Sequence, residues 1–431
     1  MTTDWTGQRV ALEIEAVAHG GHCVARSDGR VVFVRHTLPG ERVLAEVTED
    51  HGGSFCRADA IEVLRAAPGR VSPRCSLSGP GGCGGCDWQH ADAATQRELK
   101  ATVVAEQLRR LAGIELAPEV VALPGGTLGW RSRIRLATDA EGRPGLRANR
   151  SHRVIPLGEY GCPLAVPGAL DGLAGQRWEP GEEIAVAVDA AGEVHVRAGT
   201  SGAGRQLRGG QAAERAAGRQ WRLDAHGFWQ VHPELPDALA GVVAEDAEAP
   251  AGGLAWDLYA GVGLFAAVLA EQVGPTGQVF AVESSRRAVA DGRRNLADLP
   301  QVRWRQGRVD RVMAAGQEGL SVARPPRVVV LDPPRNGAGR AVVRAIAASG
   351  PDRVVYVACD PAVLARDIAT FGCHGYRLRR LRAFDAFPMT HHVECVALLE
   401  PQARNGHDTR AGPAGRAGNG LSSGQRAGKN P

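Results

Sequence analysis

The chain has 431 residues, 44% of them hydrophobic, with 51 Lys+Arg against 47 Asp+Glu and nine cysteines. At roughly 150 residues per domain this allows two to four domains, and the apolar share suffices for packed cores, which excludes a wholly disordered chain. The basic residues of 401–431 against Asp408 account for the formal net charge of +4, so 1–400 is neutral and a nucleic-acid surface requires uneven placement of charge.

The start, MTTDWTGQRV, has no apolar run behind a basic start. The best membrane-span candidate, LAWDLYAGVGLFAAVLA, is broken by Asp257 and falls short of the roughly 20 residues required. The expectation is a soluble, cytoplasmic protein with no membrane partner. Every basic residue except Lys100 and Lys429 is arginine, a bias that fits GC-rich codon usage better than selection for phosphate contacts.

In chain order, residues 1–66 read as short strands. The runs RVALEIEAVA, HCVARSDGRVVFVRH and ERVLAEVTED are punctuated by Gly20-Gly21, Asp28-Gly29 and Pro39-Gly40, which suggests a small β-barrel. A central domain is expected over 67–224. It opens on Pro, Gly and Cys, continues through a helix, ATQRELKATVVAEQLRRLAG with Gly113 near its end, and returns to β-like runs from about 130. EEIAVAVDAAGEVHVRAG reads as a hairpin.

Over 225–400 strands and helices alternate. GLAWDLY, GQVFAVE, VRWRQG, RVVVLD and RVVYVAC are separated by helical patterns and a short segment near 309–316, which predicts a doubly wound parallel sheet in an α/β fold. YRLRRLRAF and HHVECVALLE lack an intervening helix and predict an antiparallel hairpin at that sheet. The tail, 401–431, has almost no large apolar residue and is expected to be disordered.

Ligands of such sheets sit beyond the carboxyl ends of the strands, and four ends carry unusual residues. Asp257-Leu-Tyr259-Ala-Gly261-Val-Gly263 is a tight turn into a helix, and Glu283 follows 20 residues after Gly263, where a carboxylate can bind ribose hydroxyls. Without a third glycine the turn fits a mononucleoside better than a dinucleotide. Asp332 leaves its strand into two stiffening prolines. Cys359 ends another strand and is a candidate nucleophile if its thiol ionises. Glu394 is a lone carboxylate in an apolar strand, a candidate base, while His391 and His392 read as structural.

Cys75-x7-Cys83-Gly-Gly-Cys86 with Cys162 forms a second cluster, pointing to zinc or an iron–sulfur cluster rather than disulfides. Cys23, Cys56, Cys373 and Cys395 read as buried packing thiols.

Together these residues resemble the RNA 5-methyluridine methyltransferase family, across nearly all of 1–400. The first segment is similar to the TRAM domain, an OB-like RNA-binding barrel, with PGERV at 39–43. Phe228-Trp229-Gln230-Val231-His232-Pro233 resembles the family's Phe-Phe-Gln-Val-Asn-Pro. Asp257-Leu-Tyr-Ala-Gly-Val-Gly, Asp332-Pro-Pro-Arg335, Cys359-Asp-Pro and His392-Val-Glu394 follow in family order. The resemblance implies a Rossmann-like methyltransferase sheet and an enzyme that methylates carbon 5 of a uridine in tRNA or rRNA. It implies S-adenosylmethionine at Gln230, Tyr259, Gly261, Gly263, Glu283 and Asp332, Cys359 as nucleophile and Glu394 as base. It further implies a 4Fe–4S cluster on Cys75, Cys83, Cys86 and Cys162, and a monomer. The chain departs from the family pattern at Leu264 (often Asn), Arg308 (often Asp) and Asp360 (Asn), and by the longer loop between Cys75 and Cys83. The departures at 264 and 308 motivate an alternative, a non-catalytic RNA-binding protein on the same scaffold.

Overall fold

A computed structural model describes residues 4–158, 161–200, 204–315 and 324–402. Strands β1 (Arg9–Glu13), β2 (Ala16–Val17), β3 (Cys23–Ser27), β4 (Arg30–Arg35), β5 (Arg42–Asp50) and β6 (Phe55–Arg65) form one sheet in the order β1-β5-β6-β4-β3-β2. Its pairs are antiparallel except β4 with β6. Alternation of apolar and polar residues, as in β4 with Val32 and Val34 buried, turns one face of each strand inward. The core they enclose also takes Trp88 and, from helix α1 (Ala93–Ala112), Leu99 and Val103.

α1 is capped at both ends as its sequence dictates. Asp92 accepts the amide of Thr95, and Gly113 takes a left-handed conformation at φ 66°. Its neighbouring stripe, Val104 and Leu108, packs into a core of the C-terminal sheet. Between the stripes, Lys100 is fully buried and pairs with Asp385 at 2.5 Å. Isolated burial of either charge would cost several kcal/mol, so the pair pins α1 to the segment ahead of Glu394.

Strand β7 (Val120–Ala122) joins the edge of the C-terminal sheet beside residues 383–385, a placement its three residues do not announce. A second sheet, antiparallel throughout, runs β10-β9-β8-β11-β12-β13 through β8 (Arg133–Thr138), β9 (Pro144–Arg147), β10 (Val154–Pro156), β11 (Glu183–Val188), β12 (Val194–Gly199) and β13 (Arg205–Arg208). The expected hairpin is β11 with β12. A further hairpin pairs β14 (Gln211–Ala216) with β15 (Arg219–Asp224).

The C-terminal sheet holds eight strands in the order β18-β17-β16-β19-β20-β22-β21-β7. The parallel strands β16 (Leu254–Leu258), β17 (Gln278–Glu283), β18 (Val302–Gln306), β19 (Val328–Leu331) and β20 (Arg353–Ala358) are the five expected runs. β16 and β19 are wholly buried, as continuous apolar runs covered on both faces should be. β21 (Tyr376–Asp385) and β22 (Glu394–Pro401) make the expected antiparallel hairpin, with β22 beside β20.

Helices α2 (Leu235–Ala247) and α3 (Leu264–Val273) pack on one face of this sheet. On the other lie α1, α5 (Val309–Ala314), α6 (Gly339–Ser349) and α7 (Pro361–Gly372). α4 (Arg286–Asn295) follows Glu283 and packs near β15 and β17. α2 was not foreseen from its pattern, although Pro236 near its start is a helix-entry signal.

Residues 1–401 cluster as one compact unit. The expected disorder of the tail falls, from residue 403, outside the described residues. Among these, no helix is long and apolar enough to cross a membrane. One cysteine expectation is corrected. Cys23, Cys56 and Cys395 are buried, but Cys373 is exposed, because it follows the last inward residue of α7, Phe371.

Candidate active site

The turn after β16 is shaped by its own backbone. Tyr259 adopts φ 64°, a left-handed conformation costing about 1–2 kcal/mol for a residue with a Cβ, and its ring lines a large cleft. Gly263, at φ 95°, begins α3 where a Cβ would stand 2.8 Å from Leu296 and 3.0 Å from Trp304. Only glycine lets the chain pass there. Glu283, at the end of β17, is aimed by three donors. The amide of Gly261 reaches one carboxylate oxygen at 3.0 Å, and the amide of Ser285 (2.6 Å) and hydroxyl of Ser284 (3.1 Å) reach the other.

The cleft, about 1480 Å³, brings the predicted residues of the C-terminal sheet together: Gln230, Tyr259, Gly261, Glu283, Asp332, Cys359 and Glu394 all line it. Gly263 sits behind that wall, under α3. Asp332 follows β19, its amide donating to Leu258 O at 3.3 Å. Cys359 follows β20, and Glu394 opens β22 beside it. Burial raises the proton affinity of Glu394, which is 3% exposed, and the Asp332 carboxylate raises it further. Burial likewise raises Asp332. Each carboxylate disfavours ionisation of the other. Burial pushes the Cys359 thiol up to about 12, with Glu394 adding to the rise and Arg335 opposing it.

Sequence reasoning missed several lining groups. Asp310 lines the cleft and is gripped by Arg308 through two bonds of 3.0 and 2.8 Å, so a carboxylate stands two residues from the departure at 308. Leu264 also lines the cleft while packing on the core. His391 and His392 line it too. His391 Nδ1 is 2.6 Å from Asp87, which follows Cys86, and its amide also donates to Asp87. Phe228 is 70% exposed at the rim, an unusual position for a phenyl ring unless a ligand covers it. Asp257, buried in β16 beneath the turn, has no cation among the described residues to neutralise it; burial outweighs the help of the Ala266 amide and pushes the carboxyl up to about 8.

The four cysteines of the second cluster line one small apolar pocket, next to Leu146, Ile155 and Leu164. The Cys83–Cys86 loop is fastened by the amide of Gly84 on Arg147 O at 3.0 Å. Donors already face the sulfurs: Gly85 N to Cys83 Sγ at 3.3 Å, and Gln89 Nε2 to Cys86 Sγ at 3.2 Å. No three of these sulfurs lie mutually within 4.8 Å; among the described residues only Asp189, Glu193 and His195 bring three ligand atoms that close. Four thiols lining one pocket are the donor set of zinc or of an iron–sulfur cluster. The Asp189 group is explained without a metal, since Asp189 accepts three amides and the His195 ring accepts from Gly210 N.

Comparison with known proteins bears on the fold and the family. Residues 325–402 match the model of the tRNA (Uracil-5-)-methyltransferase family and residues 5–60 that of the TRAM domain. A Streptomyces avermitilis protein described as an uncharacterized RNA methyltransferase is 45% identical over 92% of this chain and 99% of its own length. The 23S rRNA (uracil(1939)-C(5))-methyltransferase RlmD of Alkalilimnicola ehrlichii is 31% identical over 91% of this chain and 97% of its length. The crystal structure of the Pyrococcus abyssi tRNA (uracil-54, C5)-methyltransferase with S-adenosyl-L-homocysteine shares the fold, with a TM-score of 0.68 at 22% identity over 90% of this chain and all of that one. A strand-end cysteine and carboxylate in one cleft, on that fold and with those relatives, leave one assignment: the chain belongs to the S-adenosylmethionine-dependent RNA uracil-C5 methyltransferases, and it is an enzyme.

Proposed function

We propose that this enzyme methylates carbon 5 of a uridine in ribosomal or transfer RNA through a covalent bond between Cys359 and the uracil ring. The observation that carries the reading is that Cys359 and Glu394 line one cleft at the ends of adjacent strands. Uracil carbon 5 is too weakly nucleophilic to take a methyl group unaided. Cys359 gives up its proton to solvent and adds as thiolate to carbon 6, its new S–C bond sending the ring's electrons to an enolate that makes carbon 5 nucleophilic. S-adenosylmethionine, when bound, supplies an electrophilic methyl group. Glu394 then takes the proton from carbon 5, the C5–C6 double bond re-forms, and the Cys359 thiolate is expelled. The raised proton affinity of Glu394 makes its carboxylate a stronger base for that step.

The cofactor's ribose is assigned to Glu283, whose orientation by Gly261 and Ser285 suits two hydroxyl donors. Tyr259 and the Gly261–Gly263 turn would back the nucleoside, Asp310 would serve the adenine edge in place of an acid at 308, and Gln230 and Asp332 would face the reacting end. Cys75, Cys83, Cys86 and Cys162 would hold a 4Fe–4S cluster, a structural group beside the RNA cleft: Gly85 and Arg131 line both cavities. The target uridine has to leave its stack to reach Cys359. The near-full-length similarity to RlmD favours ribosomal RNA. A monomer working in the cytoplasm completes the reading.

The test is nucleoside mapping of RNA from cells with and without the gene, combined with methyl transfer by the purified enzyme to the unmodified RNA. Loss of one 5-methyluridine, restored in vitro, is expected. Label at any other atom, or in no RNA, contradicts the proposal.

A further inference from the structure

We infer that the β2–β3 turn of the N-terminal sheet, residues 18–22, is part of the catalytic centre, with His19 as a positioning residue that acts on Cys359 through Asp360. The inference rests on the reading of Cys359 as nucleophile. His19 Nε2 lies 3.2 Å from Oδ2 of Asp360, the residue next to the thiol. Asp360 also caps α7, its Oδ1 accepting the amides of Ala362 and Val363 at 2.9 Å each. Its two oxygens are thus divided between its own helix and the barrel.

The same turn reaches the segment ahead of Glu394. Gly21 O accepts the indole N–H of Trp88 at 3.1 Å. Gly21 sits at φ 84°, and a Cβ there would stand 3.0 Å from that of His391 and 3.2 Å from that of Asp87. Gly20 and His22 face the cleft itself. One turn therefore touches both halves of the machinery, the residue after the nucleophile and the loop before the base. A module that only gripped RNA would have no need of these contacts.

The chemistry of the pair follows from its charge. A carboxylate beside a thiol opposes ionisation, and Asp360 joins burial, Glu394 and Asp332 in raising Cys359, against Arg335. His19 holds one oxygen of Asp360 toward the barrel, away from the thiol, by a hydrogen bond of 3.2 Å. Although burial acts to raise Asp360, the bonds from His19, Val363 and Ala362 outweigh it and hold the carboxyl at about 2. The chain carries Asp at 360 where the family pattern has Asn, and His19 faces that departure.

The experiment is single-turnover adduct formation with 5-fluorouridine RNA and S-adenosylmethionine at saturating concentrations, beside RNA affinity and melting temperature. His19→Ala is expected to slow adduct formation about twofold to fivefold, the range of one partly exposed hydrogen bond, with RNA affinity unchanged. Adding Asp360→Asn to that variant should restore the rate, because Asn keeps the helix cap and removes the charge. An unchanged rate in His19→Ala, a change confined to RNA affinity, or failure of Asp360→Asn to rescue overturns the inference. Absence of adduct in the wild-type enzyme instead overturns the nucleophile reading beneath it.

Discussion

Cys359 and Glu394 stand at adjoining strand ends opposite one another in the chain path: Ala358, last in β20, pairs with Cys395 of β22, and the two residues are the next step along those strands. The antiparallel insertion of β22 beside a parallel strand creates this opposition, since it brings a strand start against a strand end.

Separating the two roles gives the first prediction. Glu394→Gln keeps the thiol but removes the base, so the methylated ring should remain attached to the enzyme. With ordinary uridine RNA, a complex stable to denaturant should accumulate while turnover falls at least about 10²-fold. Full turnover, or loss of turnover without a complex, would argue against this assignment.

The thiol should show its environment in the free protein. Burial, reinforced by Glu394, pushes Cys359 up to about 12, so its thiolate fraction climbs about tenfold per pH unit through neutrality. Alkylation of Cys359 by iodoacetamide, followed on its own peptide, should rise on that slope from about pH 7 to about pH 9. A plateau near neutral pH would show a thiol already ionised.

Asp257 makes a stability prediction of definite sign. Its folded-state value of about 8 lies above the unfolded one, so its contribution is present in acid and lost as pH rises through about 8. Asp257→Asn should therefore melt several degrees above wild type at alkaline pH and no higher than wild type near about pH 4. Asp332 and Glu394 act in the same direction, so the variant's decline should be shallower rather than absent. Equal slopes in the two proteins would mean that Asp257 is ionised in the fold.

The cysteine pocket is tested by composition. Protein purified without oxygen should carry about four irons and four sulfides per chain and no stoichiometric zinc. Cys86→Ser should lose both and loosen the 387–391 segment, whose Met389 carbonyl accepts the amides of Asp87 and Trp88 at 3.0 Å each. Stoichiometric zinc in place of iron and sulfide would contradict the assignment.

Much of this was legible in the sequence because the signals are local. The five parallel strands announce themselves as apolar runs, and Tyr259, Gly261, Glu283, Asp332, Cys359 and Glu394 reach the cleft because that is where such sheets place their loops. Other features depend on partners distant in the chain. β7 is three residues long and exists only because β21 offers an edge. Lys100 reads as an ordinary helix lysine until Asp385, far along the chain, meets it. Asp310 carries no signal of its own beside Arg308, and nothing near His19 in sequence hints at Asp360. Cys373 misled for the opposite reason: residue type suggested burial where helix phase dictates exposure.

The most direct measurement is mass spectrometry of the enzyme after reaction with S-adenosylmethionine and 5-fluorouridine RNA. Fluorine at carbon 5 denies Glu394 its proton, so the methylated ring should stay bonded to the peptide carrying Cys359. Cys359→Ala should show no adduct. An adduct on another residue, or an equal yield from Cys359→Ala, would contradict the account.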